Sequence, residues 1–387
     1  MEKSIRLRPG RGLILRRFPI FRTCKMTSDE RPKDDRYDFE AMLAFAFDAL
    51  VAAGMPGDKA VDVADVLLEA ELLGRRTHGL RLLPWYVSAV REGSMAVDGL
   101  YDIVRDESST QVWDGRHLPG PWLVKRAIAE AARRLLRHPV ATVVIRRSHH
   151  TGGLQAYLEA VTEKGLMVVL ANADRSGRVA PPGAIEGVLS PSPLAVGFPT
   201  EGKPVMIDMS VASTSVGTCI RTAEAGSRLP GPWLIDANGA PTDDPKPLVE
   251  KGEGAILPLG GMDLGYKGFA LGLFIEALTA GLAGWAPDGP DAEAGRWGCS
   301  VFVQLIDPGR FSGLDAFRRE MEALARACRA ARVPEGAAPV HLPGEDALAR
   351  KAGQLAQGLA VDPAVIAALR PVAEAAKLTL PSPLGPE

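Results

Sequence analysis

Residues 141–165 read ATVVIRRSHHTGGLQAYLEAVTEKG: a β-branched run, a turn with two adjacent histidines and two glycines, then a helix-like run. Val140–Ile145 is predicted to be a buried strand, because a short apolar, β-branched run suits a pleated surface. Leu154–Lys164 carries apolar residues at helical spacing, so Ser148–Gly153 is the turn between strand and helix. In α/β sheets ligands bind in such turns, at the carboxyl ends of strands. Gly152 and Gly153 let backbone approach a ligand, and free N–H groups at a helix start attract anions. An unperturbed imidazole titrates at about pH 6.5, so His149 or His150 is a candidate acid–base group. The competing reading is that both histidines merely end a surface strand.

Outward from this segment the pattern divides the chain. Three helical stretches precede it: DFEAMLAFAFDALVAAG (38–54) stopping at Gly54, DKAVDVADVLLEAELLGRR (58–76) with Asp58 as N-cap, and LRLLPWYVSAVREGS (80–94) stopping at Gly93. From about Leu100 short strand-like runs appear: TQVWDG (110–115), LMVVLANA (166–173), PLAVGFP (193–199) and PVMIDMS (204–210). A helix is expected over Trp122–Leu136. From Leu314 the pattern is helical again, in LDAFRREMEALARACRAARV and in DALARKAGQLAQGLA from Asp346. FALGLFIEALTAGLAGW (269–285) is shorter than the roughly 20 residues that span a bilayer, and Glu276 sits inside it, so a buried helix is expected. PDGPDAEAG (287–295) reads as a surface loop. The expected class is α/β of the α+β kind. A helical domain is built from residues 37–100 plus 314–387, with a sheet-bearing domain over 101–313 inserted between them.

Charge and cysteine content narrow the function. The net charge of −2 opposes general nucleic-acid binding. Residues 1–26 hold eight Lys or Arg against one acid, so this segment carries +7 and the rest −9. Pro9, Gly10, Gly12 and Pro19 interrupt any amphipathic targeting helix there. Residues 1–36 are therefore read as a disordered basic extension, or as an over-extended start with Met26 as the true one. Four scattered cysteines with no CxxC pair fit a reducing compartment, and the expected location is cytoplasmic, away from membranes. GxGxxG, GxxxxGK[ST], HExxH and GxSxG are all missing, and adjacent histidines on an extended segment point apart, so no metal site is expected.

Three further residues stand out. His78 in RRTHGLRLLPWY lies beside Gly79 between two helical stretches, where a surface turn is the simpler reading. Lys267 in GGMDLGYKGFALG is placed at the start of the buried helix, against the helix dipole, which favours anions there. Asp208 ends an apolar strand, where an N-cap role is the simpler reading.

In their order these pieces resemble the malate/L-lactate dehydrogenase family of the non-Rossmann type, which includes ureidoglycolate and sulfolactate dehydrogenases and Δ1-piperideine-2-carboxylate reductases. The resemblance runs from about Tyr37 to Leu378 and is carried by PGPWLIDANGAPTDDP (230–245), GAILPLGGMDLGYKGFALGLFIEALTAGLAG (254–284) and LPGEDALARK (342–351). It implies that NAD or NADP binds the sheet-bearing domain without GxGxxG, and that a homodimer carries its active sites near the subunit boundary. It places the catalytic histidine at His150, with His149 in the neighbouring Asn-like position. Thr77, His78, Arg81 and His149 would contact a small-molecule substrate, and Asp208, Met209, Ser210, Lys267, Gly268 and Gly344 the cofactor. The chain departs from the family pattern at Leu82, where an arginine is usual and Arg81 lies one place early. It departs again at Ser190-Pro191-Ser192-Pro193 for Gly-Thr-Asn-Pro, and at Gly217-Thr218 for Gly-Lys. The implied activity is hydride transfer at C2 of a 2-hydroxy or 2-oxo acid, or of a cyclic imino acid. The rival readings are a relative that binds without turnover and, further off, a metal-dependent hydrolase.

Overall fold

A computed structural model describes residues 35–286, 289 and 296–385. The basic extension, the Met26 start and nearly all of the 287–295 loop lie outside the described residues. In chain order, β1 (Asp35–Tyr37) leads into α1 (Phe39–Ala52), α2 (Gly57–Leu72) and α3 (Leu83–Arg91). β2 (Asp102–Asp106) and β3 (Thr110–Asp114) precede α4 (Gly120–Leu135), β4 (Val140–Ser148) and α5 (Leu158–Thr162). Then follow β5 (Met167–Ala173), β6 (Leu194–Phe198), β7 (Val205–Met209) and α6 (Val216–Glu224). β8 (Leu234–Ile235), β9 (Pro241–Thr242) and β10 (Ala255–Ile256) form a small sheet ahead of α7 (Gly261–Glu276). The chain closes with β11 (Cys299–Ile306), α8 (Leu314–Arg329), α9 (Glu345–Gln357), β12 (Leu359–Val361) and α10 (Pro363–Ala376).

Among the described residues, the main sheet has seven strands in the order β2-β3-β4-β11-β5-β6-β7. Only β3 and β4 run parallel; the other pairs are antiparallel. The rule for ligand placement in parallel sheets therefore does not explain the histidine turn, although the turn does follow β4 as expected. The central strand β11 lies between β4 and β5, with Val303 opposite both Val143 and Leu170.

Two large apolar clusters hold the fold. One gathers α1, α2 and α3 with β12 and α10, through residues such as Leu50, Leu67, Tyr86, Val361 and Leu369. The other joins β3, β4, β11 and β5 to α4, through Trp113, Leu123, Ile145, Val303 and Leu305.

Three local expectations need correction. The second helix is capped at Pro56, with Asp58 in its first turn, where a carboxylate still favours the helix dipole. Leu154–Lys164 is a short 3₁₀ turn followed by the brief α5 rather than one helix. The 269–285 stretch is not a buried helix. α7 begins eight residues earlier and exposes Met262, Leu264, Tyr266, Leu273 and Phe274, while Gly265, Gly268, Gly272 and Ile275 face inward. Lys267 therefore sits in the second turn, and its conflict with the helix dipole disappears.

Candidate active site

The histidine turn is built from both sides. α2 ends above it, and the chain then bends through Arg75–His78. Gly79 is required in that bend: the buried carboxylate of Glu71 accepts the Leu80 N–H at 3.0 Å, and a Cβ on Gly79 would lie 2.1 Å from the same carboxylate. β4 delivers His149 and His150 from below. Gly152, at φ +70°, turns the chain back so that its N–H donates to His150 Nδ1 at 3.1 Å. From α3, the Tyr86 hydroxyl lies 3.0 Å from the same Nδ1 and donates to the His150 carbonyl at 2.8 Å.

These elements enclose a cavity of about 500 Å³. Thr77, His78, His150, Asp208, Met209 and Ser210 all line it, although they come from three separate stretches of sequence. The His78 and His150 rings stack with centroids 6.0 Å apart and planes 12° from parallel, and Thr77 Oγ1 lies 2.9 Å from His78 Nδ1. Burial lowers the affinity of both rings for a proton; at His78 the Asp208 carboxylate opposes that shift, and at His150 the neighbouring His78 and His149 add to it. Asp208 is no N-cap: it belongs to β7, and its Oδ2 accepts the Gln155 N–H at 3.3 Å. Arg75 straps the same strand in place, donating to Gln155 Oε1 at 2.7 Å and to the Asp208 carbonyl at 3.3 Å.

Other residues singled out by the sequence lie elsewhere. His149 is 2% exposed, does not line the cavity, and keeps its Nδ1 buried without a hydrogen-bond partner among the described residues. Arg81 points away toward α6, where it pairs with Glu224 at 3.1 Å. Lys267 is exposed on α7, with its ammonium 6.0 Å from the Tyr266 ring centroid. Gly268 packs on the Leu259 backbone, and Gly344 on Met206 of β7. Gly344 thus touches the strand that carries Asp208, but not the cavity itself.

Several lining residues were not read from the sequence. Arg75 and Arg221 bring guanidinium groups and Trp297 brings an indole tilted against His150 at 6.2 Å; Ser190 and Ser192, which the sequence marked only as a departure from the family pattern, bring hydroxyls 2.9 Å apart. Arg75 lay within the quoted RRTHG neighbourhood, one turn from His78, and that spacing was the available signal. Trp297 follows a loop with no regular pattern and gave none. Imidazoles, hydroxyls, a carboxylate and guanidinium groups around a volume in the usual ligand-pocket range suit a small, polar, anionic ligand beside a planar ring.

Comparison with known proteins agrees with this architecture. Residues 37–370 match the family described as malate/L-lactate dehydrogenase. An L-lactate dehydrogenase of Cupriavidus necator is 31% identical over 342 residues, covering 87% of this chain and 97% of that protein. An L-sulfolactate dehydrogenase of Methanothermobacter thermautotrophicus is 31% identical over 281 residues, covering 70% and 79%. The crystal structure of malate dehydrogenase from Entamoeba histolytica shares the fold with a TM-score of 0.84 at 22% identity, covering 90% of this chain and all of that one. The chain belongs to the malate/L-lactate dehydrogenase family.

Proposed function

We propose that this oxidoreductase uses NAD or NADP to move a hydride to or from C2 of a small 2-hydroxy/2-oxo acid or a cyclic imino acid, with His150 handling the proton. The observation that carries the reading is the stacked His78–His150 pair inside one polar cavity, in a member of a dehydrogenase family.

The residues present fit a nicotinamide cofactor. The cavity is of ligand size, Trp297 and the paired imidazoles offer flat faces to a ring, and Asp208, Ser210 and Arg221 offer polar contacts. Bound nicotinamide supplies the hydride in reduction and receives it in oxidation. The chain does the rest. His150 accepts the hydroxyl proton of the substrate as C2 loses its hydride, and returns that proton to the oxygen, or to the nitrogen of an imine, in reduction. Its burial favours the neutral ring, which is the form able to accept. Thr77 holds the His78 ring through Nδ1, and the guanidinium groups of Arg75 and Arg221 on the cavity wall would receive the substrate carboxylate.

We also infer a homodimer, supported by the apolar stripe of Met262, Tyr266 and Leu273 exposed along α7.

The deciding experiment is fluorescence titration of the purified protein with NADH and then NADPH, followed by assay of 2-oxo acids and cyclic imines. Trp297 lies on the cavity wall, so saturable quenching is expected for at least one cofactor. His150→Ala is expected to keep the unfolding temperature and to lose about 10²- to 10⁴-fold in rate. A protein that binds neither nucleotide is a non-catalytic relative, and the reading fails.

A further inference from the structure

We propose that Tyr86 is the positioning residue of the site: its hydroxyl oxygen receives the Nδ1 hydrogen of His150 whenever that ring carries the transferred proton. The proposal rests on the assignment of His150 as the proton carrier.

A ring that has accepted a proton at Nε2 is an imidazolium with hydrogens on both nitrogens, and both are donors. A buried donor left without an acceptor is costly, more so when charged. At Nδ1 the structure offers two groups. One is the Gly152 N–H at 3.1 Å, which can only donate. The other is the Tyr86 hydroxyl at 3.0 Å, which can do either. Its single hydrogen is already directed to the His150 carbonyl at 2.8 Å, and that leaves its lone pairs for Nδ1. Among the described residues, Tyr86 is therefore the group placed to accept a hydrogen from Nδ1. A neutral ring that is to take a proton at Nε2 must already carry its own hydrogen at Nδ1, so Tyr86 accepts that hydrogen before the transfer as well as after it. When the Gly152 N–H fills the Nδ1 lone pair instead, the hydrogen sits on Nε2 and the ring cannot take a proton there. With charged His150 the chain Nδ1–H to Tyr86 oxygen to His150 carbonyl is complete. No proton leaves the chain, because Tyr86 keeps its own hydrogen throughout.

The placement of Tyr86 suits this task. It is 0% exposed on α3, packed in the core of the helical cluster, and its ring meets His150 edge-on at 5.9 Å. Such a side chain cannot swing away when the charge on its neighbour changes. The other titratable groups facing this pair are His78 from the turn after α2 and His149 from the end of β4. Cys299 of β11 and Tyr157 face Tyr86. All four are neutral near pH 7 in this burial, so Tyr86 supplies the acceptor the imidazolium needs. The wider logic is that of a base oriented through its second nitrogen.

The test is Tyr86→Phe, which keeps the ring and removes the acceptor. The readouts are the pH profile of kcat/KM in the oxidative direction and an NMR titration of the His150 ring, assigned by its loss in His150→Ala. Loss of one charge-assisted hydrogen bond is expected to move the ascending limb and the NMR midpoint to lower pH by about one unit, and to lower kcat/KM roughly tenfold or more. NADH affinity and unfolding temperature are expected to stay near wild type. An unmoved midpoint, or one moved upward, overturns the proposal, because a merely space-filling tyrosine would give that result. If the phenylalanine variant does not fold, 3-fluorotyrosine at position 86 preserves the packing, weakens the oxygen as an acceptor, and must shift the midpoint the same way. The NMR titration needs no turnover. A protein inactive on every acid and imine would therefore defeat the functional reading while this midpoint still decides the role of Tyr86.

Discussion

At position 149 burial drives the imidazole down to a pKa of about 3, and its neighbours His117 and Arg296 reinforce the shift. In the unfolded chain the same group takes a proton at about pH 6.5. Between those values the unfolded state binds more protons than the folded one, so stability falls as pH falls through this window and is unaffected above it. Each pH unit below about 6.5 costs at most about 1.4 kcal/mol for this one group. Urea unfolding at pH 7 and pH 5 is expected to show a smaller acid loss for His149→Asn than for the wild type. An equal loss in both would mean that the buried ring does not stay neutral. Residue chemistry marked the histidine pair without separating its members; only the family resemblance singled out His150. Adjacent residues on an extended chain face opposite ways, so one entered the cavity and the other the core. Arg81 shows the complementary limit. Its charge was plain in the sequence, but its partner Glu224 lies 143 residues away and only folding brings them together.

Among the elements, the strands carrying β-branched runs were legible and the central one was not. β11 reads CSVFVQLI, a short apolar run after an irregular stretch, and periodicity alone does not mark such a run as a strand. What defines it is pairing with β4 and β5 on either side, a contact remote in sequence. Its side chains are correspondingly committed. Leu305 is 0% exposed within the sheet cluster, and Leu305→Ala is expected to cost about 2–5 kcal/mol of stability, read as a lower urea midpoint. A loss well under 1 kcal/mol would show that the cluster relaxes to fill the space. α7 was misread for the opposite reason. Its composition is apolar enough for a buried helix, but composition does not say which of those apolar residues the chain itself covers.

For the whole molecule, we propose a division into a helical domain from residues 37–100 plus 314–387 and a sheet-bearing domain over 101–313, although the sheet cluster crosses it by taking Val66 and Leu73 from the first region and Ala347 and Leu348 from α9. The candidate site takes residues from both, since His78 follows α2 while His150 and Asp208 come from the sheet. The exposed stripe on α7 leads to a prediction at this scale. Light scattering on the eluting protein is expected to give twice the 41.1 kDa chain mass, and Leu273→Glu to shift it toward one. A wild type that elutes as a monomer removes the dimer from the functional reading.

The position of β11 also sets a schedule for synthesis. β4 and β5 leave the ribosome early, yet the strand that belongs between them starts at Cys299, well over a hundred residues after β5 ends at Ala173. At roughly 5–20 residues per second, the nascent chain holds two unpaired sheet edges for about ten seconds. During that interval the histidine turn has no finished sheet beneath it. The enzyme cannot assemble its site progressively from the N-terminus; the site waits for one late strand, and until then its edges are open to chaperones or to other nascent chains.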